Sequence, residues 1–301
     1  MKNMLLWITL ALIWSSSYLA IKVGILSIPP LTLVAIRMII GTSVLLIVLR
    51  LWSLALPTDL QSWAILLVSG LMGNIVPFSL ISYGEIHIDS GLAALLMGIA
   101  PVVTVLLAPL IHPDEVLSPK IIAGIIIGFL GLIVLIGPDA LHGLGKHVTG
   151  QFAVFCAALC YAFTTLFARK YAKLPALVMA AGSMLIGTVI IVVIAFIAEA
   201  PLQNNLILDR SMLAAIYLGL FPTALATLIY FYLVPKIGAA RMSQVNFVVP
   251  VAGALIGVTF LHEAISTNMI IALVLILLAV FLVTYRGVKT EPTLDARPNP
   301  R

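Results

Sequence analysis

The chain has 301 residues, 62% of them hydrophobic and only 9% charged, with a mean hydropathy of +1.22. Soluble domains carry about 25% charged residues, so this composition excludes a protein whose whole surface faces water; the solvent is lipid. The net charge of +5 suggests an acidic partner, but the placement of the charges, taken up below, excludes nucleic acid.

Apolar runs of about 20 residues, enough to cross roughly 30 Å of hydrocarbon, recur ten times: 4–23, 31–50, 63–84, 91–111, 119–137, 150–170, 177–198, 212–234, 239–261 and 267–285. The first keeps charge at both edges and has no small-residue cleavage site after it, so it is predicted to be a span rather than a signal peptide. Proline, glycine or charge marks most joints, as in Ser27-Ile28-Pro29-Pro30 and His112-Pro113-Asp114-Glu115. After Tyr285 the chain turns polar and proline-rich, and 287–301 is predicted to be a disordered cytoplasmic tail. With the N-terminus inside, the cytoplasmic segments hold twelve Lys and Arg and the outer ones three, Lys22, Lys146 and Arg210. This bias places both termini in the cytoplasm. Cys156 and Cys160 read as packing residues on the sixth span, with no disulfide and no metal.

A shift of 149 residues lays the third and fourth runs on the eighth and ninth: Gly70 meets Gly219, Tyr83 meets Tyr232, Ile88 meets Ile237 and Pro101 meets Pro250. Near the starts of the halves the offset is 147, with Trp14 on Tyr161 and Lys22 on Arg169. The expected organisation is an all-α integral membrane protein of two five-helix repeats, 1–141 and 142–286, around a central cavity. Five spans is an odd number, so the second repeat must be inverted, as in many secondary transporters with a midplane site.

Pro101 and Pro250 cannot donate to the carbonyls of Met97 and Asn246, four residues back, and both kinks are expected to face the bundle interior and serve as gates. Ser243, Asn246 and Pro250 share a helical stripe; Gln244 points to a neighbouring helix. Trp14, Asn74, Pro101, Tyr161, Thr223 and Pro250 lie near span centres, with Ser15–Ser17 and Thr164–Thr165 beside them, and Thr223, Thr227 and Tyr230 form a stripe. Such a layer suits a cavity for a small polar molecule, although for any one Ser or Thr the commoner role is bonding between helices.

"ALIWSSSYLAIKVG" (11–24), "VAIRMIIG" (34–41), "GIAPVVTVLLAPLIHPDE" (98–115) and the weaker echo "VVPVAGALIGVTFLHE" (248–263) resemble the EamA-like exporters of the ten-span drug/metabolite transporter superfamily, nearest to amino-acid exporters of the YddG type. The resemblance runs to Tyr285. Departures are "HPDE", two residues longer than its second-half counterpart, and uncharged Ser183 near the place equivalent to Arg37. The resemblance implies a basket of helices with the fifth and tenth spans peripheral, and efflux of amino acids or related metabolites across the inner membrane.

Arg37 is the one basic residue well within a span, and is read as snorkelling or satisfying helix-end carbonyls in preference to binding a substrate carboxylate. Glu115 and Glu263 stand before helix starts and suit the helix dipole better than proton coupling; His112 and His262 keep coupling open. "HPDE" lacks a second ligand cluster for a metal, and "GLGKHVTG" (143–150) lacks the preceding strand of a nucleotide loop. Gly124 and Gly128, with Gly253 and Gly257, have the spacing of close helix contacts, and monomer and homodimer both stay open. No nucleophile–base pair, metal set or acidic residue lies near a span centre, which argues against an intramembrane enzyme. The expected substrate-binding residues are Trp14, Ser17, Asn74, Met97, Tyr161, Thr223, Tyr230 and Asn246, in a wall without deep fixed charge, and no cofactor is implied. The cargo is expected to be an amino acid or related metabolite; a multidrug or lipid-linked-sugar exporter is the alternative.

Overall fold

The computed structural model describes residues 2–88, 90–111, 118–141, 147–201, 208–249, 251–252 and 267–284, and no strand occurs among them. Helices α1 (Lys2–Gly24) and α2 (Pro30–Leu51) meet at Pro29-Pro30, where Pro30 takes the first helical position and forfeits no hydrogen bond. Next come α3 (Leu60–Gly70), a π-helical segment π1 (Leu71–Ile75) and α4 (Val76–His87), one continuous helix of 28 residues. The fourth span is α5 (Ser90–Met97) and α6 (Ile99–Ile111), interrupted at Gly98, just past the Met97 carbonyl that Pro101 cannot serve. Three long helices follow, α7 (Pro119–Leu141), α8 (Val148–Tyr171) and α9 (Ala176–Glu199). Then α10 (Arg210–Leu218), π2 (Gly219–Leu225) and α11 (Ala226–Ile237) form a second continuous 28-residue helix. After α12 (Ala239–Ser243) and a turn at Gln244 the chain is helical over 245–249, and α13 (Thr267–Thr284) is the last helix described.

Six of these helices are long and apolar enough to cross a membrane, and three shorter ones, Ile99–Ile111, Pro119–Val134 and Ile270–Val283, are apolar too, among the described residues. Leu110 (80% exposed) and Ile197 (81%) show what their outer surfaces carry; side chains of this kind belong in lipid. The chain is a multi-pass membrane protein. The ninth expected span is described only as far as Ala252, so Pro250, Gly253, Gly257, His262 and Glu263 lie outside the described residues, as do His112, Glu115, the loop 142–146 and the tail 287–301.

The third and eighth spans start and end alike. Asp59 caps α3 by accepting from Ser62 N (2.7 Å), and Asp209 caps α10 by accepting from Met212 N (2.9 Å). These hydrogen bonds, with Ser27 Oγ also donating to Asp209, hold both carboxyls below the ordinary aspartate range. A depressed folded-state pKa adds stability above the unfolded value, and that stability is lost as pH falls through the folded one. At the far ends, Lys22 donates to the carbonyl of Glu85 (2.7 Å) at the close of α4, and Arg169 donates to that of Pro235 at the close of α11. Lys22 and Arg169 are the pair that the 147-residue offset superposes.

Both spans widen into a π segment at matched places, 71–75 and 219–225. A proline lies at each, Pro77 just after π1 and Pro222 within π2; a widened turn accommodates the ring and the missing donor. Beside the π segments the backbones come very close. A Cβ on Gly70 would stand 2.5 Å from the Ser183 carbonyl oxygen of α9, and one on Gly219 would stand 2.9 Å from the Arg37 carbonyl oxygen of α2.

Two apolar cores result. One gathers Met38, Leu45, Leu66, Met184 and Leu233 from α2, α3, α9 and α11; the other gathers Leu33, Met97, Leu132, Val154 and Phe247. Tyr18 and Tyr161 pack against both cores. The helices α7 and α13 lie against each other, with Gly124 and Gly131 set against Val283 and Ile276, so the α7 glycines serve a contact within the chain.

Candidate functional site

A cavity of about 480 Å³, its mouth included, opens where the two cores meet. Helix α1 contributes Trp14, Ser17, Tyr18 and Ile21 to its wall; α2 contributes Arg37, and α4 contributes Phe78 and Ile81. Tyr161 of α8 and the pair Asn246 and Val249 complete it. On α1 the spacing 14, 17, 18, 21 is one helical face, so a single stripe of that helix forms one side.

Of the residues expected from sequence, Trp14, Ser17, Tyr161 and Asn246 are brought together here. The Trp14 and Tyr161 rings stack with centroids 6.4 Å apart. Tyr230 stands behind them: its ring is 6.3 Å from Trp14, it is 9% exposed, and its hydroxyl donates to Thr165 Oγ1 at 3.3 Å. It buttresses the wall without joining it. Asn74 is buried within π1, and Met97 is buried in the second core next to the break at Gly98; neither reaches the wall. Pro101 is buried in α6. In the serine run, Ser15, Ser16 and Ser17 bond back to the Leu12, Ile13 and Trp14 carbonyls at 2.7, 2.7 and 2.6 Å, and Ser16 also shares a 2.6 Å hydrogen bond with the Tyr217 hydroxyl of α10. Gln244 is fully buried and is not among the residues of the wall.

The expectation of an uncharged wall fails at Arg37. This side chain is 2% exposed, far from snorkelling, and among the described residues it bonds to no helix-end carbonyl. Its Nε donates to Thr223 Oγ1 at 3.0 Å, and its Cζ lies 3.9 Å above the Phe78 ring. Thr223, placed in the layer by sequence, orients the arginine and does not line the cavity. Glu85 departs from expectation too. Sequence put it past the end of the third span, but the helix runs on to His87 and Glu85 is wholly buried, one turn beyond Ile81, within electrostatic reach of Arg37 and Tyr18. Tyr18, Phe78 and Ile81 were missed as well; the signal that could have found them is the i, i+3, i+4 spacing to Trp14 and to each other, which apolar sequence conceals. Among the described residues no group of three or more His, Cys, Asp or Glu could hold a metal ion, and Cys156 and Cys160 are free thiols.

A model of the EamA-like transporter family matches residues 1–137 and again 148–285. The chain belongs to the EamA-like transporter family. Relatives include the "Uncharacterized transporter YoaV" of Bacillus subtilis (strain 168), 26% identical over 285 residues that cover 94% of this chain and 97% of the relative. The "Uncharacterized inner membrane transporter YedA" of Escherichia coli (strain K12) is 28% identical over 277 residues, 91% of this chain and 88% of the other. A solved structure described only as "Crystal structure of protein" superposes with a TM-score of 0.78 at 24% identity, covering 94% of this EamA-like chain and 98% of its own, a likeness of fold. Family and relatives are transporters, so a small-molecule cargo and a bilayer go with the assignment. The YddG-type likeness has no counterpart among these relatives.

Proposed function

We propose that this EamA-like protein exports small polar metabolites, amino acids first among them, across the cytoplasmic membrane by alternating access, with both termini inside. Two inverted repeats, 1–141 and 142–286, would rock about the cavity. Support comes from the two matches of the family model, the paired π segments and the paired caps by Lys22 and Arg169. The charge bias of the loops supports the orientation.

The observation that carries the proposal is the make-up of the cavity wall: stacked aromatic rings, one amide and one guanidinium, held between two dry cores. Asn246 offers an acceptor for an ammonium group, and Trp14 and Tyr161 offer flat apolar area for a medium or large uncharged side chain. Neutral contacts of this kind contribute about 1 kcal/mol each, which suits low affinity and efflux from a concentrated cytosol. In proteoliposomes carrying the purified protein, labelled L-leucine should exchange across the membrane, and Asn246→Leu should slow that exchange roughly tenfold with protein yield unchanged. Undiminished exchange by the variant would remove Asn246 from the site; a panel in which no amino acid moves would remove the substrate class.

A further inference from the structure

We infer that Arg37 is the receptor for a substrate carboxylate, so that the cargo carries at least one anionic oxygen pair whatever else it contains. The inference deepens the proposed transport function and names the chemical class that the cavity selects. Arg37 Nε is committed to Thr223, and this is the one hydrogen bond the guanidinium makes among the described residues. Stacking on Phe78 holds the plane of the group. Among the described residues neither Nη group has an acceptor, in a residue 2% exposed that nonetheless forms part of a cavity wall. A buried guanidinium that spends Nε on orientation and keeps its Nη pair for the cavity matches the two-pronged geometry of a carboxylate. Burying a guanidinium with unfilled donors is costly, and a ligand carboxylate at the cavity would fill them.

The electrostatics point the same way. Among the described residues that line the cavity, Arg37 is the one that carries a charge, so it offers an anionic group a partner and a lipophilic cation none. The buried carboxylate of Glu85 acts on Arg37 from one turn behind Ile81, and Lys22 sits over the same helix end on the Glu85 carbonyl. Glu85 thus moderates the field of the arginine without being among the cavity-lining residues, and among the described residues no acceptor meets the Nη pair.

The test is competition in proteoliposomes, with three unlabelled probes of one shape set against labelled L-leucine: L-leucine, L-leucinamide and 4-methylpentanoate, the last also supplied in labelled form. The two probes with a carboxylate should compete or be carried, and leucinamide should be at least roughly thirtyfold weaker, the loss expected when a buried charge pair lacks one partner. Arg37→Gln should abolish the preference for acid over amide, and Arg37→Lys should restore it in part. Because the wild-type comparison needs no variant, poor folding of Arg37→Gln would leave the test intact. If leucinamide is carried as well as leucine, the receptor assignment falls and the amino-acid reading stands. If 4-methylpentanoate is carried and leucine is not, the amino-acid reading falls and the receptor stands. Saturable transport of cations with no carboxylate competing would overturn the inference.

Discussion

Gly70→Val is expected to destabilise the protein by about 3 kcal/mol, the upper end of what overpacking a close contact costs. The new side chain has no soft neighbour to push aside. Its Cβ alone would stand 2.5 Å from a backbone oxygen, that of Ser183, so α9 must move away from the third span. Gly219→Val makes the equivalent intrusion against the Arg37 carbonyl oxygen (2.9 Å) and the Ile40 side chain (2.7 Å). It should lower the melting midpoint similarly and also reduce transport, because α2 carries Arg37. Thermal melting of purified protein in detergent, with the lipid-facing Leu67→Val as control (Leu67 is 38% exposed), checks both. Wild-type midpoints for the glycine variants would show that the helices are not in this contact.

Thr223→Val should cut flux about tenfold and cost about 1–3 kcal/mol of stability, the penalty for leaving a buried donor without its acceptor. The exchange is isosteric: it keeps the γ-methyl that lies against Gly41 and removes only the oxygen that accepts from Arg37 Nε. Thr223→Ser is the informative partner, since it keeps the oxygen and loses the methyl. If the hydroxyl orients Arg37, Ser should retain most of the flux and Val should not. If Thr223 matters only by filling space, the order reverses.

The fold was legible in the sequence wherever hydrophobic length and offset repeats decide it. The 149-residue shift laid the third span on the eighth, and those two share caps, π segments and close glycine contacts. Span ends were less legible, because Asp59 and Asp209 recruit polar residues into helices that an apolar window cuts short. At the other end of the third span the helix runs on to His87, where Lys22 donates to the Glu85 carbonyl, so an apolar window ending at 84 leaves buried Glu85 outside. Aromatic, amide and serine positions near span centres gave four of the cavity residues, Trp14, Ser17, Tyr161 and Asn246. Arg37 was misassigned because insertion cost makes the membrane edge the cheapest place for an arginine, and sequence cannot show that Thr223 and Phe78 wait for it inside. The same holds for the serines: type and depth suggested donors, but bonds within the helix use them. Pro77, just after π1, and Pro222, within π2, carry no such signal, because nothing in the sequence marks a π turn.

In the proposed function one cavity, walled by α1, α2, α4 and α8, opens to each side of the membrane in turn. Ser17 lines it and is small enough to replace, and Cys156 and Cys160 are the only other thiols. In a Cys156→Ser, Cys160→Ser background, Ser17→Cys should react with a membrane-impermeant thiol reagent supplied from either face of oriented proteoliposomes. Saturating L-leucine on one side should slow labelling from that side. Reaction from one face only, at a rate indifferent to every carboxylate tried, would contradict alternating access through this cavity.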